Sequence, residues 1–409
     1  MQGEADRVDY LVIARKYRPQ TFSEVFGQDV VARTLANAIR TQRIHHAYLF
    51  TGPRGVGKTS MARILAKALC CSGPDGTQSG PTATPCGVCD NCRMITEGSH
   101  PDVAEIDAAR FSGVEAIREL ADNASFSPSQ ARFRIFILDE VHMLSTNAWN
   151  ALLKVLEEPP AHVRFIFATT EVEKVLPTVL SRVQRFDFRA IELDDIVRRL
   201  RDICAREQVT LTDQVLTRIA RAAGGGMRDA QTLLDQLLSV ADGAVSEEDL
   251  NLLLGAARGG DLRLLTEHLL AGSAALAIGD LDRVCAGGVS AATLLDQLLD
   301  VFRGVMLFQA CGSDAPAVRR LGLDHATLAA TADGVASEKV LRICQLLIGS
   351  QQAIRSGVDP RLQLELCFVR ICGLGDLADV DTLLRRLERL DAAPPGPAES
   401  RGQSASRPR

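Results

Sequence analysis

The chain is poor in tyrosine and tryptophan: three tyrosines and one tryptophan, Trp149, among 409 residues. That excludes an aromatic ladder on which successive bases of a single strand would stack. Positive charge is not in excess either, with 46 Lys and Arg against 51 Asp and Glu and a net charge of −5. A stand-alone nucleic-acid binder held by a broad basic surface is therefore not expected, although a local basic patch is compatible with these counts. Apolar residues make up 46% of the chain, yet no uncharged apolar run approaches the ~20 residues of a membrane span. The first residues, MQGEAD, are acidic and unlike a secretory signal. A soluble, cytoplasmic chain with no membrane contact is expected. The eleven cysteines do not form a disulfide framework: five fall between Cys70 and Cys92, and six are scattered from Cys204 to Cys372 in apolar helical patterns. This distribution points to a reducing compartment and one metal site. The length suggests two to four domains, and no internal repeat is visible.

The chain is organised around residues 51–60, TGPRGVGKTS, between the apolar run 47–50 and a helical pattern from Met61. Strand, loop and helix in that order fit the phosphate-binding loop G-x-x-x-x-G-K-[ST], with Gly52, Gly57, Lys58 and Thr59 at its fixed positions. Glycines let backbone N–H groups of the loop, which also contains Pro53, Arg54, Gly55 and Val56, converge on phosphate oxygens. Lys58 is placed to reach the β- and γ-phosphates and Thr59 to ligate Mg²⁺. A bound nucleoside triphosphate is expected. The irregular segment 14–28 before the helix at 29–41 is positioned to lie beside the base.

Three further strand signals, 103–107, 134–138 and 163–168, alternate with helical patterns, which predicts a parallel sheet covered on both faces. The second ends in Asp139 and Glu140, where open α/β sheets place ligands. Asp139 suits a Mg²⁺ held through water, and Glu140 a role in polarising the attacking water. An amphipathic helix is expected over 150–160, stopped by Pro159 and Pro160. Thr170 follows the last apolar run, near the expected γ-phosphate. Arg182 precedes a short strand at 184–188 and by itself reads as a solvated surface charge. From Leu193 to about Gly255 the pattern is helical, with Gly224 to Ala230 opening one helix, and from Asp261 to about Gly373 more helix suggests association. Residues 379–390 read as a charged helix and 392–409 as a disordered tail.

Cys86, Cys89 and Cys92 form a C-x-x-C-x-x-C turn after a Gly/Pro/Ser/Thr-rich insert at 72–85. They resemble three ligands of a four-thiolate zinc site, with Cys71 or its neighbour Cys70 as the fourth. An Fe–S cluster is the alternative. Four protein ligands leave no open position, so such a site is structural.

Taken together, ARKYRPQTF (14–22), RIHHAYLF (43–50), GPRGVGKT (52–59), TPCGVCDNC (84–92), LDEVHMLS (138–145), ALLKVLEEPP (151–160), FATT (167–170) and MRDA (227–230) resemble the tau/gamma family of bacterial DNA polymerase III clamp loaders. These are AAA+ ATPases, and the resemblance covers roughly residues 10–240. It implies an α/β AAA+ P-loop domain over 1–192, with a zinc module at 71–92. A small helical lid domain over 193–255, a helical collar over 256–377 and a charged helix and tail over 378–409 would follow. By resemblance, 52–59 is Walker A, Asp139 and Glu140 are Walker B, and Thr170 is sensor 1. Arg182 becomes the arginine finger reaching a neighbouring subunit's ATP, and Arg228 the sensor 2 acting in its own subunit. Arg18, Pro19 and Val25 fall where the family lines its adenine pocket, and Cys71 rather than Cys70 stands where it has its first zinc ligand. ATP, Mg²⁺ and Zn²⁺ are the implied cofactors. The implied partners are delta- and delta-prime-type subunits, further copies of this chain, the sliding clamp and primed DNA. The rival classes are another AAA+ motor, such as a helicase or remodeller, and an ATP-binding scaffold. The family's Ser-Arg-Cys reads Ser181, Arg182, Val183 here, and the insert after Cys71 is longer than the family leads one to expect. The end soon after the collar implies a gamma-like short form.

Overall fold

The computed structural model of the chain describes residues 11–110, 113–240, 247–312 and 325–374, with Ala315 and Val318. The acidic start and the charged helix and tail expected beyond residue 378 lie outside the described residues. The chain divides into two compact units, Met1–Leu254 and Gly255–Arg409.

The first unit is built on five parallel strands: β1 (Ala47–Thr51), β2 (Val103–Asp107), β3 (Arg134–Asp139), β4 (Val163–Thr169) and β5 (Gln184–Asp187). Their order in the sheet is β2-β3-β4-β1-β5. Because successive side chains point to opposite faces, β1 divides its apolar residues between two cores. Tyr48 and Phe50 join Ile135, Ile137, Ile166 and Phe186 on one face, against Leu35 of α2 (Asp29–Arg40) and Met61, Ile64 and Leu65 of α3 (Lys58–Cys70). Ala47 and Leu49 join Phe136, Leu138, Phe165 and Phe167 on the other. That face is covered by Ile117 and Leu120 of α5 (Val114–Asn123) and Trp149, Leu152 and Leu156 of α6 (Thr146–Glu157). Strands covered on both sides need nearly continuous apolar sequence, as β1, β3 and β4 have. The helix expected at 150–160 begins a turn earlier, because Ser145 accepts the Ala148 N–H and caps it. It ends at Glu157, ahead of Pro159 and Pro160.

Within the same unit, α8 (Leu193–Arg206), α9 (Asp213–Ala222), α10 (Met227–Val240) and α11 (Glu247–Leu254) pack around Leu200, Ile203, Leu216, Ile219, Leu234 and Leu237. Ile13, in the single-turn helix α1 (Ile13–Lys16), and Tyr17 share this core, which ties the segment before the sheet to the lid helices. Shorter elements near the sites include α4 (Asp90–Glu97), α7 (Pro177–Leu180) and helical turns at Phe22–Glu24, Val141–Met143 and Val172–Lys174.

The second unit is helical among the described residues: α12 (Gly259–Leu270), α13 (Ala274–Ala286), α14 (Ala291–Cys311), α15 (His325–Ala332), α16 (Ser337–Arg355) and α17 (Pro360–Cys372). Its core is formed around Leu298, Phe302, Leu347 and Phe368. Ser290 caps α14, and Asp359 caps α17 with Pro360 in its first turn.

Candidate active site and metal centre

The phosphate loop leaves the sheet at Thr51 and enters α3 at Lys58. Gly52 has φ 143°, and a Cβ there would lie 2.3 Å from the Phe188 carbonyl oxygen, so the loop can pass β5 only without a side chain. Gly57, at φ 100°, turns the chain into the helix. Lys58 is buried; its Nζ donates to the carbonyls of Gly52 at 2.8 Å and Pro53 at 2.7 Å. Burial holds its pKa below the ordinary lysine value, with Glu140 and Asp139 pulling the other way. Thr59 Oγ1 donates to Asp139 Oδ2 at 2.6 Å, so β3 brings together the two residues expected to hold Mg²⁺. A hydroxyl paired with a carboxylate is a hard-oxygen donor set of the kind Mg²⁺ takes.

Glu140 sits in the left-handed region at φ 49°, an uncommon conformation for a residue with a side chain and one that clusters at functional sites. Thr170 Oγ1 donates to Glu140 Oε2 at 3.4 Å. His142, absent from the sequence-based set of site residues, lies in the same cluster. Its Nδ1 is 3.1 Å from Thr169 Oγ1 and 3.4 Å from Glu140 Oε2, and its Nε2 is 3.3 Å from Glu171 Oε1. Its only sequence signal is adjacency to the acidic pair.

One cavity is lined by Arg18, Pro19 and Val25 from the irregular lead-in, by 54–60 of the phosphate loop, by Asp139 and Glu140, and by Arg228 at the start of α10. The lid is fastened to the loop there, since Arg228 N donates to the Gly55 carbonyl at 3.2 Å. Arg199 also lines the cavity, its guanidinium carbon 5.2 Å from the Phe26 ring centroid and 5.9 Å from that of Tyr17. It was missed because a basic residue on an amphipathic helix carries no local signature. Burial lowers the pKa of both Arg18 and Arg199. Gly52, Pro53, Thr170 and Arg182 are not among the lining residues. Arg182 instead donates to Glu157 Oε1 at 2.8 Å, the Thr178 carbonyl at 2.8 Å and Ser181 Oγ at 3.0 Å.

The four sulfurs of Cys71, Cys86, Cys89 and Cys92 lie within 4.8 Å of one another. Backbone N–H groups of Gly73 and Cys86 reach Cys71 Sγ at 3.4 Å, and that of Cys89 reaches Cys86 Sγ at 3.3 Å. Donors aimed at sulfur favour thiolates, the form that binds metal. Burial opposes ionisation and keeps Cys71 and Cys92 above the ordinary thiol value, whereas at Cys89 hydrogen bonds from Ser72 and Cys92 bring it down to about 6. Four soft sulfurs with no open position suit a structural Zn²⁺. Cys70 belongs to the main core instead, where burial pushes its thiol up to about 12. Cys89→Ser is expected to lower metal content from one ion per chain and to open the 72–85 insert to protease, with nucleotide still bound. Elemental analysis and limited proteolysis check this; an unchanged metal content in the variant overturns the ligand set.

Comparison with known proteins gives three adjoining family matches: DNA polymerase III, delta subunit, over 27–192; DNA polymerase III clamp loader subunit, ATPase lid domain, over 195–243; and DNA polymerase III subunits gamma and tau domain III over 245–387. DNA polymerase III subunit tau of Salmonella typhimurium is 43% identical over 76% of this chain and 48% of its own length. That of Bacillus subtilis is 38% identical over 94% of this chain and 68% of its own. The chain thus spans between about half and two thirds of these relatives. Among solved structures, the Thermotoga maritima RuvB Holliday junction branch migration motor matches 62% of this chain and 79% of its own at 17% identity, with a TM-score of 0.43. No described helix is long and apolar enough to cross a membrane. The motifs, the parallel sheet with its lid helices and the two tau relatives agree: the chain belongs to the DNA polymerase III tau/gamma subunit family of AAA+ clamp-loader proteins.

Proposed function

We propose that this chain is an ATP-hydrolysing motor subunit of a clamp loader, acting with delta- and delta-prime-type subunits and further copies of itself. ATP binding would order the assembly so that it opens a sliding clamp, and hydrolysis would release the clamp on primed DNA. The observation that carries the reading is the joining of an intact phosphate loop to an intact acidic pair through the Thr59–Asp139 hydrogen bond. A scaffold that only bound nucleotide would not need Glu140 at the strand end.

In this reading the base lies between Arg18, Pro19 and Val25, and the phosphates along 54–59. Lys58 exchanges its two carbonyl partners for β- and γ-phosphate oxygens. Thr59 and Asp139 would hold Mg²⁺, which neutralises phosphate charge when bound. Glu140 orients and polarises the attacking water, Thr170 senses the γ-phosphate beside it, and Arg228 links that phosphate to the lid. Arg182 serves the neighbouring subunit. The collar provides association, within boundaries of 1–192, 193–255 and 256–377 for core, lid and collar, and the assembly works in the cytoplasm.

The test is ATPase activity of the reconstituted assembly with clamp, with primed duplex and with both. Clamp and primed duplex together are expected to stimulate hydrolysis, with no strand unwinding. Unwinding in the same assay would favour a helicase or remodeller, and nucleotide binding without turnover would favour a scaffold; either result overturns the proposal.

A further inference from the structure

Lys67 lies on α3 with its side chain almost wholly removed from water, at 2% exposure. A buried ammonium needs compensation. Its Nζ donates to the side-chain carbonyl of Gln20, a neutral partner. Gln20 belongs to the lead-in that lines the nucleotide cavity and follows Arg18 and Pro19 directly. It also meets α4, because Thr96 Oγ1 lies 3.3 Å from Gln20 Oε1. The same hydroxyl lies 2.8 Å from the carbonyl of Cys92, a member of the sulfur cluster. On its other side Gln20 Nε2 donates to the Arg18 carbonyl at 2.9 Å, and Gln20 N to Glu24 Oε2 at 2.8 Å. One amide thus joins three elements: the phosphate-loop helix, the cysteine-bearing helix α4 and the wall of the base pocket. The four-cysteine cluster brings the end of α3 at Cys71 together with Cys92 in the first turn of α4. Gln20 bridges those two helices.

We propose that Gln20 is a positioning residue that couples metal occupancy of the four-cysteine cluster to nucleotide affinity. With metal bound, α3 and α4 present Lys67 and Thr96 together, the Gln20 side chain is fixed between them, and its amide N–H holds the Arg18 backbone against the cavity. Without metal the two helix ends are no longer cross-linked, so the amide loses its fixed acceptor geometry and the lead-in must be ordered by the nucleotide itself. Coupling of this kind is reciprocal: whatever metal does for nucleotide affinity, nucleotide does for metal affinity by the same factor. The inference rests on the nucleotide site proposed above and deepens it by giving that site a regulator.

The experiment measures the equilibrium affinity for ADP, with magnesium restored, of the full chain in its metal-loaded and chelator-stripped, reduced forms. It is repeated for Gln20→Ala and Gln20→Glu. The unmodified chain is expected to lose about five- to tenfold in ADP affinity on stripping, at the lower end of typical coupling. Gln20→Glu keeps acceptors for Lys67 and Thr96 but has no N–H for the Arg18 carbonyl. It is expected to keep one metal per chain and an unshifted melting temperature, bind ADP about as weakly as the stripped chain, and respond little to stripping. Gln20→Ala should bind ADP as weakly and respond as little to stripping, but with a lowered melting temperature, because it leaves the buried Lys67 ammonium without its acceptor. Saturating ADP should raise zinc affinity of the unmodified chain by the same factor, read with a competing chelator. Equal ADP affinity with and without metal overturns the coupling, and an equal loss on stripping in Gln20→Glu moves it from Gln20 to α3 alone. Failure of every form to bind ADP would instead sink the nucleotide site, so the two readings fail separately.

Discussion

Arg182→Ala is expected to bind ATP normally and to hydrolyse it about 10³- to 10⁵-fold more slowly, the range for guanidinium groups that stabilise a transferring phosphoryl. The reason lies in where the side chain stands. It does not line the cavity of its own chain but rests on Glu157 and the Thr178 carbonyl, about one-third exposed. A surface ion pair of this kind is worth roughly 1 kcal/mol or less, so a neighbour's phosphate can draw the guanidinium away at little cost. A planar, permanently charged group is suited to that transfer between partners, whereas lysine is not equivalent. The decisive measurement mixes Arg182→Ala with Lys58→Ala, each inactive alone. Recovered hydrolysis is expected, because one subunit supplies a complete phosphate loop and the next a complete finger. No recovery at any ratio, in an assembly shown to exchange subunits, would overturn the shared-site mechanism.

Glu140→Gln is expected to retain ATP and to lose turnover by about 10²- to 10⁴-fold, the usual contribution of a positioned general base. Glutamine preserves the shape and the neighbourhood of Thr170 and His142 while removing the charge that polarises water. Lys58→Ala should fail earlier, at binding, since it deletes the buried cation to which the proposal gives the β- and γ-phosphates. Equilibrium binding and single-turnover hydrolysis separate the two effects. A Glu140→Gln variant that no longer bound ATP, or a Lys58→Ala variant that bound it unchanged, would reverse the roles assigned to these side chains.

Local patterns revealed a good part of this architecture before any coordinate. The phosphate loop was legible because its residues are contiguous and each glycine has a steric task, visible at Gly52 and Gly57. Likewise, the apolar runs of β1, β3 and β4 announced strands covered on both faces, and the sulfur spacing announced the cluster. The order β2-β3-β4-β1-β5 was not legible, since strand–helix alternation specifies parallel pairing but not which strand lies centrally. Long-range polar partners were also silent. Gln20 meets Lys67 across 47 positions and Thr96 across 76, and Tyr17 bonds Glu207 across 190. Lys67, Thr96 and Glu207 lie in none of the motif stretches, and Tyr17 and Gln20, although within 14–22, gain their partners only through the fold. His142 and Arg199 escaped for the same reason, while Ser145 displaced a helix start through a cap that apolar periodicity alone does not show.

The interior position of β1, between β4 and β5, has a consequence during synthesis. This strand is entirely buried and lies between β4 and β5, with Ala47 pairing with Phe165. At a translation rate of about 5–20 residues per second, roughly 6–24 s separate the making of Ala47 from that of its partner. Through that interval β1 is an apolar strand with two open edges, neither of whose partners, β4 and β5, has yet been made. The nascent chain is therefore most vulnerable to aggregation before β4 emerges, and most in need of a chaperone that shields a short hydrophobic segment.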